Sequence, residues 1–202
     1  MRIDDEAALF AGSPEADSLL LLLHGRGADE RDLLPLAERL GVPDRVVALR
    51  GPVPWQGGRA WVESTPTPDG DSAVAPAADA VLAWLDRQPA PAPRRIRVLG
   101  FSQGGAVALQ LLRAAPDRFD RIVVLSGFVA AVGGAADEVL AERRPPVLWG
   151  RGTIDPVIPA SAIARTKTWL EAHTTLTERE YPMLGHGVAE AELADVAAFL
   201  GS

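Results

Sequence analysis

One stretch, Gly100-Phe101-Ser102-Gln103-Gly104, constrains this chain more than any other, because of what surrounds it. The residues before it, Arg95-Ile96-Arg97-Val98-Leu99, read as a strand, and those after it, Gly105-Ala106-Val107-Ala108-Leu109, as a helix. A G-x-S-x-G string at a strand-to-helix junction is the pattern of a nucleophile elbow. The turn has to be tight, so that the Ser102 hydroxyl projects from the carboxyl edge of a sheet. Such a turn strains the backbone, and a side chain at either flanking glycine position would crowd the neighbouring elements. Gly105 and Ala106 keep the start of the helix small enough for close approach, and the helix N-terminus offers positive potential beside the hydroxyl.

The rest of the chain fits the sheet that this junction requires. Ser18–Leu23 is a short continuous apolar run, which suits a strand buried on both faces. Strands are also predicted over Arg45–Leu49, Ile96–Gly100, Arg121–Leu125, Pro146–Trp149 and Leu176–Tyr181. Helices are predicted over Arg31–Leu40, Ala77–Arg87, Gly104–Ala115, Ile163–His173 and Ala189–Leu200. In the last of these, Leu193, Val196, Ala197 and Leu200 follow the i, i+3, i+4, i+7 rule and mark one packing face. Alternation of this kind argues for an α/β fold, a mostly parallel sheet of six strands with helices on both faces. The segment before Ser18 is a candidate for an additional edge strand. Gly51–Pro76, with five prolines and four glycines, and Gln88–Pro93 read as loops. A chain of 202 residues without repeats suits a single domain over 1–202.

Composition removes several function classes. The net charge is −7 and Lys167 is the sole lysine, so the basic face that a nucleic-acid binder presents is missing. With no cysteine, a disulfide scaffold, a zinc knuckle and a thiol nucleophile are excluded together. The longest apolar run, Leu19–Leu23, is far short of the ~20 residues that span a bilayer. Met1-Arg2-Ile3-Asp4-Asp5-Glu6 is acidic and does not read as a signal peptide. The expectation is a cytoplasmic protein, with no nucleic-acid partner and no membrane span. Monomer and homodimer both stay open.

A serine hydroxyl needs a base to become a nucleophile. Of three histidines, His24 precedes Ser102, and His173 ends a predicted helix and is expected on the surface. His186 lies in Leu184-Gly185-His186-Gly187-Val188, a turn after a strand, and follows Ser102 in the order serine, acid, histidine that this elbow brings. The acid is expected between them, on a loop after a strand, which selects Asp155. Asp117 and Asp120 lie at the wrong end of a strand, and Asp137 and Glu138 sit in an alanine-rich stretch expected to face solvent. Two backbone N–H groups, those of Gln103 and Arg26, are candidates for an oxyanion hole. Gly25 and Gly27 leave the Arg26 amide free to turn inward, and the His24 side chain is expected to support that loop. No cluster of Cys, His and carboxylates has metal spacing, and no cofactor is expected.

Taken together, Leu23-His24-Gly25 with Asp29 beyond, the string Phe101-Ser102-Gln103-Gly104-Gly105, Asp155-Pro156-Val157-Ile158-Pro159 and Gly185-His186 resemble the small α/β-hydrolases of the carboxylesterase, lysophospholipase and acyl-protein thioesterase family. Arg59-Ala60-Trp61 also looks like a loop of that family. The resemblance covers nearly the whole chain. It implies an α/β-hydrolase fold without a large cap domain and hydrolysis of a small-molecule ester without a cofactor, with thioesters and lysophospholipids as alternatives. A catalytically inactive binding protein would have no need to keep all of Ser102, Asp155 and His186. The chain departs from the family pattern at Arg151-Gly152, where His-Gly is frequent, and at Arg26, where the eukaryotic thioesterase branch has a leucine. Both departures favour a bacterial-type carboxylesterase.

Trp55 and Trp61 lie in the Gly51–Pro76 loop, which follows a strand at the sheet edge where ligands bind in open α/β folds. Apolar groups on a long loop need something to cover. Both tryptophans are therefore candidates for substrate binding, with Trp61 expected to line an acyl channel and Trp55 the weaker of the two.

Overall fold

Five consecutive leucines, at 19–23, face alternately to two sides of a sheet, and both sides are covered. A computed structural model describes residues 1–63, 74–88, 92–130 and 135–201. In chain order, β1 is Leu9–Gly12, β2 Ser18–Leu23, α1 Leu34–Leu40, β3 Arg45–Leu49, β4 Val53–Trp55 and β5 Gly58–Ala60. Next come α2 Ala75–Asp86, β6 Arg95–Phe101, α3 Gln103–Ala114, β7 Arg121–Leu125 and α4 Ala135–Arg143. The chain continues through β8 Pro146–Gly152, α5 Ala160–His173, β9 Thr175–Tyr181 and α6 Glu190–Gly201.

Among the described residues the main sheet has seven strands, in the order β1-β3-β2-β6-β7-β8-β9. β1 pairs antiparallel with β3, and every other pairing is parallel. Because side chains alternate along a strand, Leu19, Leu21 and Leu23 join one core with Val98, Val124 and Trp149, packed under α2, α3 and α5. Leu20 and Leu22 join the opposite core with Leu99, Val123 and Leu148, packed under α1 and α6. Each buried leucine contributes roughly 1.5–3 kcal/mol, so a strand apolar on both sides is held on both sides. Arg97 interrupts the apolar run of β6 near its start. Its guanidinium donates to both carboxylate oxygens of the buried Asp44, at 3.0 and 3.3 Å.

The six predicted parallel strands are all present, and the N-terminal edge strand is β1. Two elements differ from expectation. Residues 53–60 are not loop but a β4–β5 hairpin, turned through Gln56 and Gly57, both at positive φ. That is the two-residue turn whose twist suits a hairpin, and Pro54 in its first strand masked the signal. The second element is α4, whose Asp137 is buried against Arg113 at 2.8 Å rather than facing solvent. Positions 64–73 of the proposed Gly51–Pro76 loop, and 89–91 of the Gln88–Pro93 loop, lie outside the described residues.

Candidate active site

The carboxyl ends of β2, β6, β8 and β9 meet at one edge of the sheet. Ser102 follows β6 with φ 53° and ψ −115°. A non-glycine residue in that region stores on the order of 1–3 kcal/mol of strain, and the surroundings hold it there. Its N–H donates to Leu125 O at 2.8 Å, and its carbonyl accepts the Ala106 N–H at 3.1 Å. The two flanking glycines are sterically required. A Cβ at Gly100 would lie 2.3 Å from Gly104 O, and one at Gly104 would lie 2.0 Å from Leu23 O.

His186 Nε2 stands 2.9 Å from Ser102 Oγ, and Nδ1 stands 2.7 Å from Asp155 Oδ2. With Nδ1–H donated to the carboxylate, Nε2 turns its lone pair to the hydroxyl. The Asp155 side chain is buried, and its second oxygen accepts the N–H groups of Val157 and Ile158, at 2.8 and 3.3 Å. The Phe101 ring covers His186 at 5.0 Å between centroids. The residues predicted at 102, 155 and 186 are thus within hydrogen-bonding distance of one another, across 84 and 31 positions of sequence.

Gln103 opens α3, and the first N–H groups of a helix have no acceptor inside it. Its side chain reaches the other way: Oε1 accepts the Trp61 N–H at 2.8 Å and Nε2 donates to Val62 O at 3.4 Å. Arg26 sits in the loop after β2, which is fixed from several directions. His24 Nδ1–H donates to Gly25 O at 2.7 Å, and Nε2 accepts the Gly51 N–H at 2.9 Å. Burial lowers the His24 pKa, favouring the neutral ring that this pair of bonds needs. Gly27 N–H donates to Arg59 O and Arg59 N–H to Ala28 O, both at 2.8 Å, so the β4–β5 hairpin is laced to the loop. The Arg50 guanidinium pairs with buried Glu30 and holds its carboxyl down at about 2.

Trp61 has no exposed surface, and its indole N–H donates to His24 O at 2.8 Å. This placement corrects the expectation that Trp61 lines an acyl channel: its ring braces the β2 loop from inside the core. Trp55 keeps a partly exposed ring, with the Arg26 guanidinium 5.1 Å from its centroid. His173, expected on the surface, is half-buried and stacked on Trp169. Sequence reasoning missed the Gln103 side chain, Arg50, Glu30 and Glu192. Of these, only the glutamates carried a signal, as acids inside otherwise apolar or turn-rich segments.

Residues 73–202 match the family model described as Phospholipase/Carboxylesterase. The chain belongs to the phospholipase/carboxylesterase family. Members similar to this one include a probable carboxylesterase of Oryza sativa subsp. japonica, 28% identical over 96% of this chain and 80% of that protein. Acyl-protein thioesterase 1 of Saccharomyces cerevisiae is 29% identical over 54% of this chain and 49% of its own length. Among solved structures, the Bacillus cereus carboxylesterase superposes with a TM-score of 0.80 at 23% identity, covering 96% of this chain and 92% of that one. Esterase PE8 superposes at 0.78 with 26% identity over 100% and 99%. This family member therefore has the α/β-hydrolase fold and is a carboxylic-ester hydrolase. Among its described residues, no helix is long and apolar enough to cross a membrane.

Proposed function

We propose that the chain cleaves carboxylic esters through an acyl-enzyme on Ser102, with His186 as general base and Asp155 as the acid that orients it. The observation that carries this reading is the continuous link Asp155–His186–Ser102, at 2.7 and 2.9 Å, ending on a strained elbow. Ser102 Oγ attacks the ester carbonyl carbon while His186 Nε2 takes its proton. The negative charge that develops on the carbonyl oxygen is received by the backbone N–H groups of Gln103 and Arg26. Collapse of the tetrahedral intermediate breaks the ester C–O bond, and His186 returns the proton to the departing alcohol. Water then attacks the acyl group, giving up a proton to His186. Release of the acid restores the Ser102 hydroxyl.

A second reading keeps the machinery and lengthens the acyl group, as in a thioesterase or lysophospholipase. It is favoured by Ile154, Val157 and Met183, which are exposed hydrophobic residues close in sequence to Asp155 and His186. A fluorophosphonate probe tests the common mechanism. One equivalent should attach at Ser102, and none to the Ser102→Ala protein. Labelling elsewhere, or none, defeats both readings. Nitrophenyl esters and thioesters of graded acyl length then separate them.

A further inference from the structure

The turn that carries His186 docks on β8 at two points, and both are glycines. Gly150 and Gly152 lie two residues apart and so share one face of the strand. A Cβ at Gly152 would lie 2.1 Å from Leu184 O and 2.5 Å from Gly185 O, the residues just before His186. A Cβ at Gly150 would lie 2.1 Å from Glu192 Oε1, six residues after His186. β8 thus receives the His186 segment from both sides, and β8 also delivers Asp155.

Glu192 is the unexpected half of this seat. It is the third residue of α6, and its Oε2 accepts the N–H of Ala189, the residue before the helix, at 3.3 Å. That is the return bond of a capping box, a device ordinarily found in contact with water, yet here the side chain has no exposure. Its other oxygen, pressed against Gly150, has no hydrogen-bond partner among the described residues. A leucine of similar length would fill the space without desolvating a carboxyl, but it would leave the Ala189 N–H without an acceptor.

We propose that Glu192 is a positioning residue: it ties the backbone that follows His186 to the strand that leads to Asp155, and so holds the imidazole at its working distance from that carboxylate. The seat suits a neutral acid. Burial, with the Asp195 charge adding to it, pushes the Glu192 pKa up to about 7. Among the described residues no ion pair reaches the carboxyl: Arg39 of α1, which packs on α6, pairs with Glu190 instead. Asp195 on α6 accepts the Tyr181 hydroxyl at 2.9 Å and pairs with Arg179 at 3.5 Å, both on β9. At Gly150, β8 offers only backbone, with its carbonyl accepting the Ser126 N–H at 2.8 Å. Above neutrality the acid ionises, and its seat beside Gly150 becomes unfavourable.

The inference rests on reading His186 as the base, so its test uses one readout that needs no turnover. Glu192→Gln keeps the acceptor for Ala189 and removes the ionisation, while Glu192→Leu removes both. On a nitrophenyl ester, Glu192→Leu should lower kcat about tenfold with KM within about twofold, and Glu192→Gln should restore it. The wild-type kcat should fall as pH rises past about 7, whereas Glu192→Gln should hold its plateau. Independently, proton NMR of the imidazoles, readily assigned with only three histidines in the chain, should show the Nδ1–H signal of His186, which reports its bond to Asp155, displaced or lost in Glu192→Leu. His24 and His173 should not move. Glu192→Asp, one methylene too short to reach Ala189, stands in if Glu192→Leu does not fold. Wild-type kcat in both shortened and apolar variants, superposable pH profiles, or an unmoved His186 Nδ1–H signal overturns the proposal. Loss of the esterase reading would show instead as an unlabelled Ser102, and the His186 Nδ1–H signal would still decide the role of Glu192.

Discussion

Two buried glutamates flank the site, and the fold treats them in opposite ways. Glu30, behind the β2 loop, is gripped by Arg50 through both carboxylate oxygens, with Arg31 adding a third contact, and stays ionised down to about 2. Glu192, behind the His186 turn, has one backbone N–H and is held neutral up to about 7. The difference extends to the segments they support. The β2 loop is cross-tied by His24, Trp61, Gln103 and Arg59 to distant parts of the chain. The His186 turn packs its backbone against two glycines, bonds Asp155, and is tied to the segment just after β8, where Ile154 N–H donates to Leu184 O at 3.1 Å and Met183 N–H to Thr153 Oγ1 at 3.0 Å. Donors that stabilise an oxyanion gain most from being fixed before the reaction.

The sharpest break in this comparison lies where the two halves meet. Ser102→Ala removes the group to which both are directed, and kcat should fall on the order of 10⁶-fold. Asp155→Asn keeps the shape but presents the wrong partner to Nδ1–H, and a loss on the order of 10⁴-fold is expected. Steady-state kinetics on a nitrophenyl ester measures both. If Asp155→Asn were within tenfold of wild type, the His186 turn would not need its carboxylate.

Gly104→Ala attacks the donor side. Its Cβ would meet Leu23 O at 2.0 Å and His24 O at 2.7 Å, both backbone atoms of the clamped segment that cannot rotate away. Overpacking against rigid backbone should cost about 3 kcal/mol or more, read as a lowered midpoint in denaturant. Trp61→Phe is milder. It removes the indole donor to His24 O, leaving a buried carbonyl unsatisfied, and vacates part of the space of a fully buried ring, for about 2–3 kcal/mol together. Short- and medium-chain nitrophenyl esters should slow in proportion. A changed ratio between them would return Trp61 to the channel wall.

Much of this was readable in the sequence, and for physical reasons. The interior parallel strands announced themselves as apolar runs because both of their faces are buried, unlike the half-exposed edge strand β9. Ser102, Asp155 and His186 were placed because loops at the carboxyl edge of such a sheet follow one another in a fixed order. The supporting groups were not readable in the same way. Glu30 and Arg50 are 20 positions apart, and nothing local in either shows that it will find the other. Trp61 was misjudged because a tryptophan in a proline- and glycine-rich stretch looks exposed until the hairpin over 53–60 carries it into the core. Arg151 read as a departure from the family pattern, whereas the glycines on either side of it, Gly150 and Gly152, make room for the His186 segment by their missing side chains.

The smallest expected effect separates the two glutamates directly. Folding lowers the Glu30 value from 4.5 to about 2, and at about 1.4 kcal/mol per pH unit this caps its contribution at about 3 kcal/mol. Arg50 is partly open to solvent, so screening should bring the usable part to about 1–2 kcal/mol. Because the folded value is depressed, that stability is present above pH 4.5 and fades as pH falls through about 2. For Glu192 the sign reverses. Its folded value is raised from 4.5 to about 7, so its contribution is complete below pH 4.5 and is lost as pH rises through 7. Thermal melts across pH should therefore show Glu30→Gln less stable than wild type at pH 7, with the gap closing towards pH 2. Glu192→Gln should behave in mirror image, gaining on wild type between pH 5 and 8. Parallel melting curves for the two variants would mean that the acids differ only in location and not in the charge that the fold assigns them.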